Sequence, residues 1–466
     1  MTMSDFSFKS LEDLSEGLDR KAFSATDLLE AVIARHESLE PRLNMFCHVD
    51  FDAARISARD SDNRIRRGER LGKLDGIPTS IKDLIAVQDM PQRFGSRSTP
   101  AAPVAQDAPS VARLRKAGAV ILGKSTTSEF GCKAVGDSPL TGITRNPWNL
   151  SKTPGGSSCG AAAMVAAGLV PYAIGTDGGG SIRIPASLCG LFGIKAQFGR
   201  VPVYPTSATP TLAHVGPLTR SVQDAATVLS VIAGYDRRDP ATVAGPLADL
   251  DAAMHDPRPL RVAWSPTLGY GRVDPEVQRI TAKAVAAIAK MGVEVDLVEH
   301  VMDDPVDLWA AEFYAGVGTK LRQVLIDAPE TLDPAVLEVL KIAVSQDMDS
   351  YYRKVFERYA FREGMRRFFE DYDLLLTPTL PVAAFDVGRD VPPGYDDHSI
   401  VSWASFTYPF NLTGQPAASL PVGMTDDGLP VGLQIVAPCH DEAAIFTLAA
   451  RYQRATEPAS DLRPVL

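Results

Sequence analysis

The sequence predicts an α/β fold: an α/β/α sandwich around a large mixed, mostly parallel β-sheet, with helices ahead of it at the N-terminus. Two features carry this expectation. From Gly76 onward, short β-rich runs bounded by Gly and Pro alternate with helical stretches. After a long helical region, the last part of the chain returns to strands. Strand–helix alternation favours parallel pairing, because a parallel connection needs a crossover and a helix supplies one.

The elements follow in order. Residues 8–38 read as helical, since Leu11, Leu14 and Leu18 recur at helical spacing, as do Leu28, Val32 and Leu39. Ser24 and Thr26 are candidate N-caps for the second of these segments. Residues 50–70 predict a polar helix closed by Gly68. Strands are expected at 77–81, 119–122 and 170–174, with helices at 110–117 and 159–167 between them. Amphipathic helices are expected at 221–233 and 275–291. Residues 303–370 read as mostly helical, with Trp309, Phe313, Tyr314, Tyr351, Tyr352, Phe356 and Tyr359 interleaved. Those rings either pack in a core or wall a substrate pocket. Closing strands are expected at 373–377, 418–422 and 431–436, the last two joined by the turn Asp426-Asp427-Gly428. With no repeat, low-complexity tract or clear linker, residues 1–466 read as one domain. Within it, 1–70 form a helical N-terminal segment, 71–225 a core, 235–370 a variable and mostly helical insertion, and 371–466 the strands that complete the sheet.

Composition excludes several classes of function. The 466 residues are 45% hydrophobic and 22% charged, as in a soluble globular protein. A chain this long buries well over half of its unfolded surface and needs no disulfide or metal to hold it. The net charge of −10 argues against nucleic acid as a partner, because phosphate binding needs a basic face. The basic run Arg64-Ile65-Arg66-Arg67 reads as a solvated helix end. Five cysteines, Cys47, Cys132, Cys159, Cys189 and Cys439, show no CxxC spacing and read as free thiols in a reducing compartment. The polar, acidic start lacks a secretion pattern, and no apolar run reaches membrane-spanning length. A cytoplasmic protein with no membrane partner is therefore expected, and no metal cluster or cofactor motif is visible.

Three clusters carry chemistry. The first, Gly76-Ile77-Pro78-Thr79-Ser80-Ile81-Lys82-Asp83, is an apolar strand ending in lysine. The second, Thr153-Pro154-Gly155-Gly156-Ser157-Ser158-Cys159-Gly160, stands before an Ala-rich helix whose N-terminus presents free N–H groups. The third is Gly175-Thr176-Asp177-Gly178-Gly179-Gly180-Ser181-Ile182-Arg183-Ile184-Pro185. Three glycines before a serine leave the backbone free of Cβ atoms, so their N–H groups can converge as an oxyanion site requires. None of the seven histidines has a plausible triad setting, and no Gly-x-Ser-x-Gly elbow precedes an Asp…His order. A serine nucleophile here would need another base, and a neutral lysine is one solution. The run Gly118-Ala119-Val120-Ile121-Leu122-Gly123-Lys124-Ser125 fits the P-loop pattern, but its four middle residues are themselves a strand, so nucleotide binding is not expected.

In order, composition and spacing, these clusters resemble the amidase-signature family. Lys82 and Ser157 lie 75 residues apart and Ser157 and Ser181 lie 24 apart, as in that family's Lys, cis-Ser and nucleophilic Ser pattern. The resemblance runs through about residue 220, including Gly190–Lys195 and Gly216–Ser221, and resumes at Thr377-Pro378-Thr379 and at 411–437. It is weak over 235–370, and it departs at Cys159, where the family usually has glycine. The resemblance implies the family's fold and an amidohydrolase whose acyl-enzyme forms on Ser181, with Ser157 and Lys82 as the activating partners. It implies oxyanion donors around Gly178, Gly179 and Gly180, and supporting roles for Ser158, Asp177 and Arg183.

Two conditions follow. Lys82 must be desolvated to act as a base, because a free lysine with a pKa of about 10.4 is charged at neutral pH. Asp83 must point away or pair elsewhere, since neighbours in a strand face opposite sides. Hydrolysis of acyl hydrazides or esters by the same machinery stays open. So do the glutamine-hydrolysing component of a tRNA-dependent amidotransferase and a non-catalytic scaffold. The amidotransferase usually carries Thr-Gly-Gly-Ser followed by Arg-Gln-Pro, whereas this chain has Gly-Gly-Gly-Ser181 and Arg183-Ile184-Pro185, which favours a free-standing amidase. The expected partner is a small-molecule amide, with a pocket lined partly by 303–370 and by Phe130–Cys132. A homodimer through the N-terminal helices is left open.

Overall fold

A computed structural model describes residues 6–456 and 463–465. The N-terminal helices Leu11–Asp19 and Ala25–Leu43 each begin with a reciprocal capping box, Ser10 with Asp13 and Ser24 with Asp27. Of the two candidate caps, Ser24 is the one used. The helix Phe51–Arg67 ends as expected at Gly68, whose φ of 72° suits glycine.

The strands are β1 Phe46–Val49, β2 Pro78–Lys82, β3 Val120–Ser125, β4 Asp137–Ser138, β5 Gly142–Ile143, β6 Tyr172–Asp177 and β7 Phe192–Lys195. They continue as β8 His214–Thr219, β9 Arg261–Trp264, β10 Glu294–Leu297, β11 Leu374–Pro378, β12 Ala417–Met424 and β13 Pro430–Val436. Eleven of them form one sheet in the order β1-β3-β2-β6-β8-β7-β12-β13-β11-β9-β10, while β4 and β5 pair separately. The sheet is mixed. Parallel pairs lie in two blocks, β3-β2-β6 and β11-β9-β10, and the strands between them pair antiparallel. Strands β2, β3, β7, β8, β11 and β13 are buried along their whole length, so none of them shows the alternation of a half-exposed strand.

Helices complete the α/β/α sandwich. The helix Cys159–Ala166 is buried at every residue and packs on β2, β3, β6 and β8. The helix Arg183–Cys189 packs on β7, β12 and β13, and Pro275–Lys290 on β11, β12 and β13. The segment that fits the P-loop pattern is the expected strand, β3: Gly123 has φ 154° in the ladder, and Lys124 is fully buried.

Several strands lie outside the sequence expectation, among them β7 and β8. The N-terminal segment contributes β1, and the segment 235–370 contributes β9 and β10 to the sheet as well as helices. These strands are four residues long, too short for alternation to stand out. The helices Val306–Lys320 and Pro334–Val344 build a second core from Trp309, Phe313, Tyr314, Val317, Val336 and Leu340. Further along, Tyr352, Phe356 and Tyr359 are 52%, 69% and 63% exposed, so they neither fill a core nor wall the pocket.

Candidate active site

The topology brings the three clusters together. Strands β2 and β6 are parallel neighbours, with Ile81 opposite Ile174, so their C-terminal ends lie side by side. Lys82 ends β2 and Asp177 ends β6. Carboxyl ends of adjacent parallel strands are where open α/β sheets gather ligand-binding groups. Ser157 and Ser158 stand at the start of the helix Cys159–Ala166, and Ser181 shortly before Arg183–Cys189.

Lys82 is 0% exposed. Its Nζ lies 2.7 Å from Ser157 Oγ, 2.9 Å from Ser158 Oγ and 3.5 Å from the Thr176 carbonyl, all neutral groups. Burial removes water from the ammonium and draws its pKa down to about 7, against a smaller opposing pull from Asp177. Asp83 meets the second condition. It pairs with Lys124 at 3.3 Å and accepts the backbone N–H groups of Arg93 (3.1 Å) and Gly95 (3.2 Å). With its charge committed there, the adjacent lysine is free to be neutral.

The peptide bond between Gly156 and Ser157 is cis. The Ser158 N–H donates to the Ser181 carbonyl at 3.2 Å, tying the second cluster to the third. Ser158 Oγ also donates to the Thr176 carbonyl at 3.2 Å, which fixes it beside Lys82. Ser157 and Ser181 line the same cavity of about 380 Å³. Ser181 is half-buried. Its hydroxyl has no hydrogen-bond partner among the described residues, so it can rotate; catalytic contacts often tighten only when substrate binds.

Asp177 and Arg183 hold the loop that carries Ser181. Arg183 donates to Asp177 twice (3.0 Å each), to Asn411 Oδ1 and Gln434 Oε1 (2.7 Å each) and to the Thr407 carbonyl (2.8 Å). Both members of the pair are fully buried. Burial would raise the Asp177 pKa, but the Arg183 guanidinium overrides it and holds the carboxyl well below its usual range.

The glycine run differs in one respect from the expectation. The Gly180 N–H is spent on Asp177 Oδ1 at 2.7 Å, so Gly180 is not a free oxyanion donor. The N–H groups of Gly178, Gly179 and Ser181 have no partner among the hydrogen bonds of the described residues. What Gly180 supplies is a φ of 130°, and a Cβ there would collide with Thr407. A Cβ on Gly179 would lie 2.6 Å from the Trp309 ring, and one on Gly178 would lie 2.8 Å from Phe313. Trp309 Nε1 donates to the Gly178 carbonyl at 2.8 Å, fixing the peptide's orientation.

The cavity wall is mostly apolar. Phe130, Phe94, Leu84, Phe313, Val317 and Leu321 supply much of it. Phe130, Phe313, Val317 and Leu321 fall where the sequence placed the pocket. Cys132 does not line the cavity; it is buried beneath, its carbonyl accepting from Tyr314 Oη at 3.2 Å. Sequence reasoning missed the segment 202–209, which forms another wall, because nothing in its Pro- and Thr-rich texture distinguishes it from a surface loop. It also missed His214, which reaches the cavity. Its Nδ1 donates to the Leu212 carbonyl at 2.8 Å and its Nε2 faces Lys195 at 3.4 Å, so neither nitrogen serves a serine. Burial keeps it neutral, its pKa well below the usual value. Among the described residues no group of His, Cys, Asp and Glu could hold a metal ion, and all five cysteines are free. No helix among them is long and apolar enough to cross a membrane.

Comparison with known proteins agrees in kind with this geometry. The profile of the family described as Amidase matches residues 27–446. An acylamidase from Rhodococcus erythropolis is 34% identical, covering 100% of this chain and 98% of that protein. One chain of the glutamyl-tRNA(Gln) amidotransferase of Chloroflexus aggregans is also 34% identical, covering 98% of each. Among solved structures, a bacterial aryl acylamidase of the amidase-signature family superposes with a TM-score of 0.91 at 28% identity, covering 98% of both chains. A 6-aminohexanoate cyclic dimer hydrolase superposes with a TM-score of 0.89 at 29% identity, again covering 98% of both.

Proposed function

This chain belongs to the amidase family of amide-hydrolysing enzymes, and on that premise we propose that it cleaves the C–N bond of a carboxylic amide through an acyl-enzyme on Ser181. Lys82, neutral, accepts a proton from Ser157, which takes one from Ser181 as its oxygen attacks the carbonyl. The N–H groups of Gly178, Gly179 and Ser181 hold the developing oxyanion. Ser157 returns a proton to the departing nitrogen, and water repeats the sequence on the acyl-enzyme. Asp177, Arg183 and Ser158 brace these groups and do not react.

One observation carries the proposal: a fully buried lysine whose Nζ touches neutral oxygens alone, 2.7 Å from Ser157. A charged lysine so placed would lack a counter-ion, whereas a neutral one is a base in position. The apolar wall of Phe94, Phe130 and Phe313 favours an aryl or alkyl acyl group. Acyl hydrazides and esters would enter the same acyl-enzyme.

The test is turnover of a panel containing benzamide, a phenylacetamide, an anilide, an acyl hydrazide, a short aliphatic amide and glutamine. Ser181→Ala is expected to lower the rate by about 10⁴–10⁶, leaving only binding and oxyanion effects. Retention of more than about a hundredth of the activity would sink the assignment of Ser181. Turnover of glutamine alone would move the assignment to the amidotransferase class, to which the Chloroflexus relative belongs.

A further inference from the structure

The wall of the active-site cavity carries few charges. Asp177 is one, and Arg183 neutralises it out of reach of a ligand. The other is Lys320, the last residue of the helix Val306–Lys320, at the exposed rim. Its ammonium donates to the Thr206 carbonyl at 2.6 Å, which ties it to the 202–209 wall. Among the described residues it has no carboxylate partner, although the chain carries ten more acidic than basic residues overall. Three donors serve an ammonium, so two remain for a ligand.

We infer that Lys320 is a specificity residue, selecting amides whose acyl chain is apolar near the scissile bond and ends in an anionic group such as a carboxylate. The inference rests on the proposed amidase reading and adds the class of substrate. An apolar chain fills the space between Phe130, Phe313 and Val317, and its far end reaches the rim where Lys320 stands. There a carboxylate finds the cavity's uncommitted positive charge, while a neutral end finds none. Partial burial strengthens such a pair relative to one in open water, and it already lowers the lysine's own pKa. A hydrogen-bonded pair at a half-exposed site is worth about five- to tenfold in affinity.

A purely structural Lys320, latching the 202–209 wall through Thr206, would show no such selectivity. Binding separates the two, and it can be measured without turnover. Calorimetry on the full-length Ser181→Ala protein would compare succinamate, adipamate and suberamate with butanamide, hexanamide and octanamide. At the length that reaches the rim, the carboxylate amide is expected to bind about five- to tenfold tighter than its neutral partner, less so at high salt. Adding Lys320→Met should bring that ratio to about one. A ratio near one at every length overturns the inference, as does a ratio that Lys320→Met leaves unchanged. Hydrolysis itself is read separately, from turnover by the enzyme with Ser181 intact, so failure of one conclusion is distinguishable from failure of the other.

Discussion

Acidification should switch this enzyme off along a single ionisation, that of Lys82. Burial holds this lysine's pKa at about 7, against 10.5 for the free side chain. With one proton per site, the neutral fraction is about a half at pH 7, about a tenth at pH 6 and about a hundredth at pH 5. Two groups near these serines keep their charge state in that window. Asp177 is held well below it by Arg183, and burial with the nearby Lys195 keeps His214 neutral. The assay is kcat/KM for an uncharged anilide between pH 5 and 10 at constant ionic strength, because kcat/KM reports ionisations of the free enzyme. The profile should fall about tenfold per unit on the acid side of pH 7 and be level above pH 8. A rate level down to pH 5, or one still climbing at pH 9 to 10 as for a solvated lysine, would refute a neutral Lys82 as base.

The same shift has a stability consequence of fixed sign. Between pH 7 and 10.5 the unfolded chain binds the proton that native Lys82 has shed, so stability rises with pH across that window. At pH 7 most of a penalty of roughly 5 kcal/mol is in force. Lys82→Met, which cannot ionise, is expected to be inactive yet at least as stable as the parent at pH 7, by thermal unfolding.

Three further perturbations test other parts of the site. Arg183→Ala leaves the buried Asp177 carboxylate unpaired and should destabilise the fold by about 3–5 kcal/mol, measured by denaturant unfolding; a loss under about 1 kcal/mol would contradict its bracing role. Gly180→Ala places a Cβ at φ 130° against Thr407, so a strain of about 1–3 kcal/mol and a severe fall in kcat are expected; near-normal kcat would mean the loop tolerates movement beside Ser181. Phe313→Ala opens the cavity wall and uncovers Gly178, and should shift preference toward bulkier acyl groups in a size-graded series of anilides. An unchanged size preference would remove Phe313 from the acyl pocket.

Local chemistry made much of the fold legible. The Ser24 cap, the Gly68 stop, the buried strand ending at Lys82 and the turn at Gly428 are all written in a few adjacent residues, whereas the strand expected at 170–174 runs on to Asp177. The short strands β9 and β10 were not, since four residues carry too little periodicity. Within the site, the separation of Asp83 from Lys82 followed from strand alternation, although its partner Lys124 could not be named. Thr407, Asn411 and Gln434 were missed because each meets Arg183 across more than 220 residues, and no local pattern encodes such a contact. The occupied Gly180 N–H was missed for a related reason: glycines grant freedom, but only the fold decides which amide Asp177 takes. The aromatics divided in a way that the sequence could not resolve. Trp309 and Phe313 cover the glycine loop, while Tyr352, Phe356 and Tyr359 share one solvent-facing side of the helix Met348–Phe368.

The most direct measurement is the site of the acyl group during turnover. The enzyme is mixed with an anilide, quenched in acid within the first turnovers, digested and mapped by mass spectrometry, alongside Ser181→Ala. Nucleophilic attack by Ser181 predicts the acyl mass on the peptide containing Ser181, absent from the variant. Acylation of another residue, or undiminished turnover by Ser181→Ala, would contradict it.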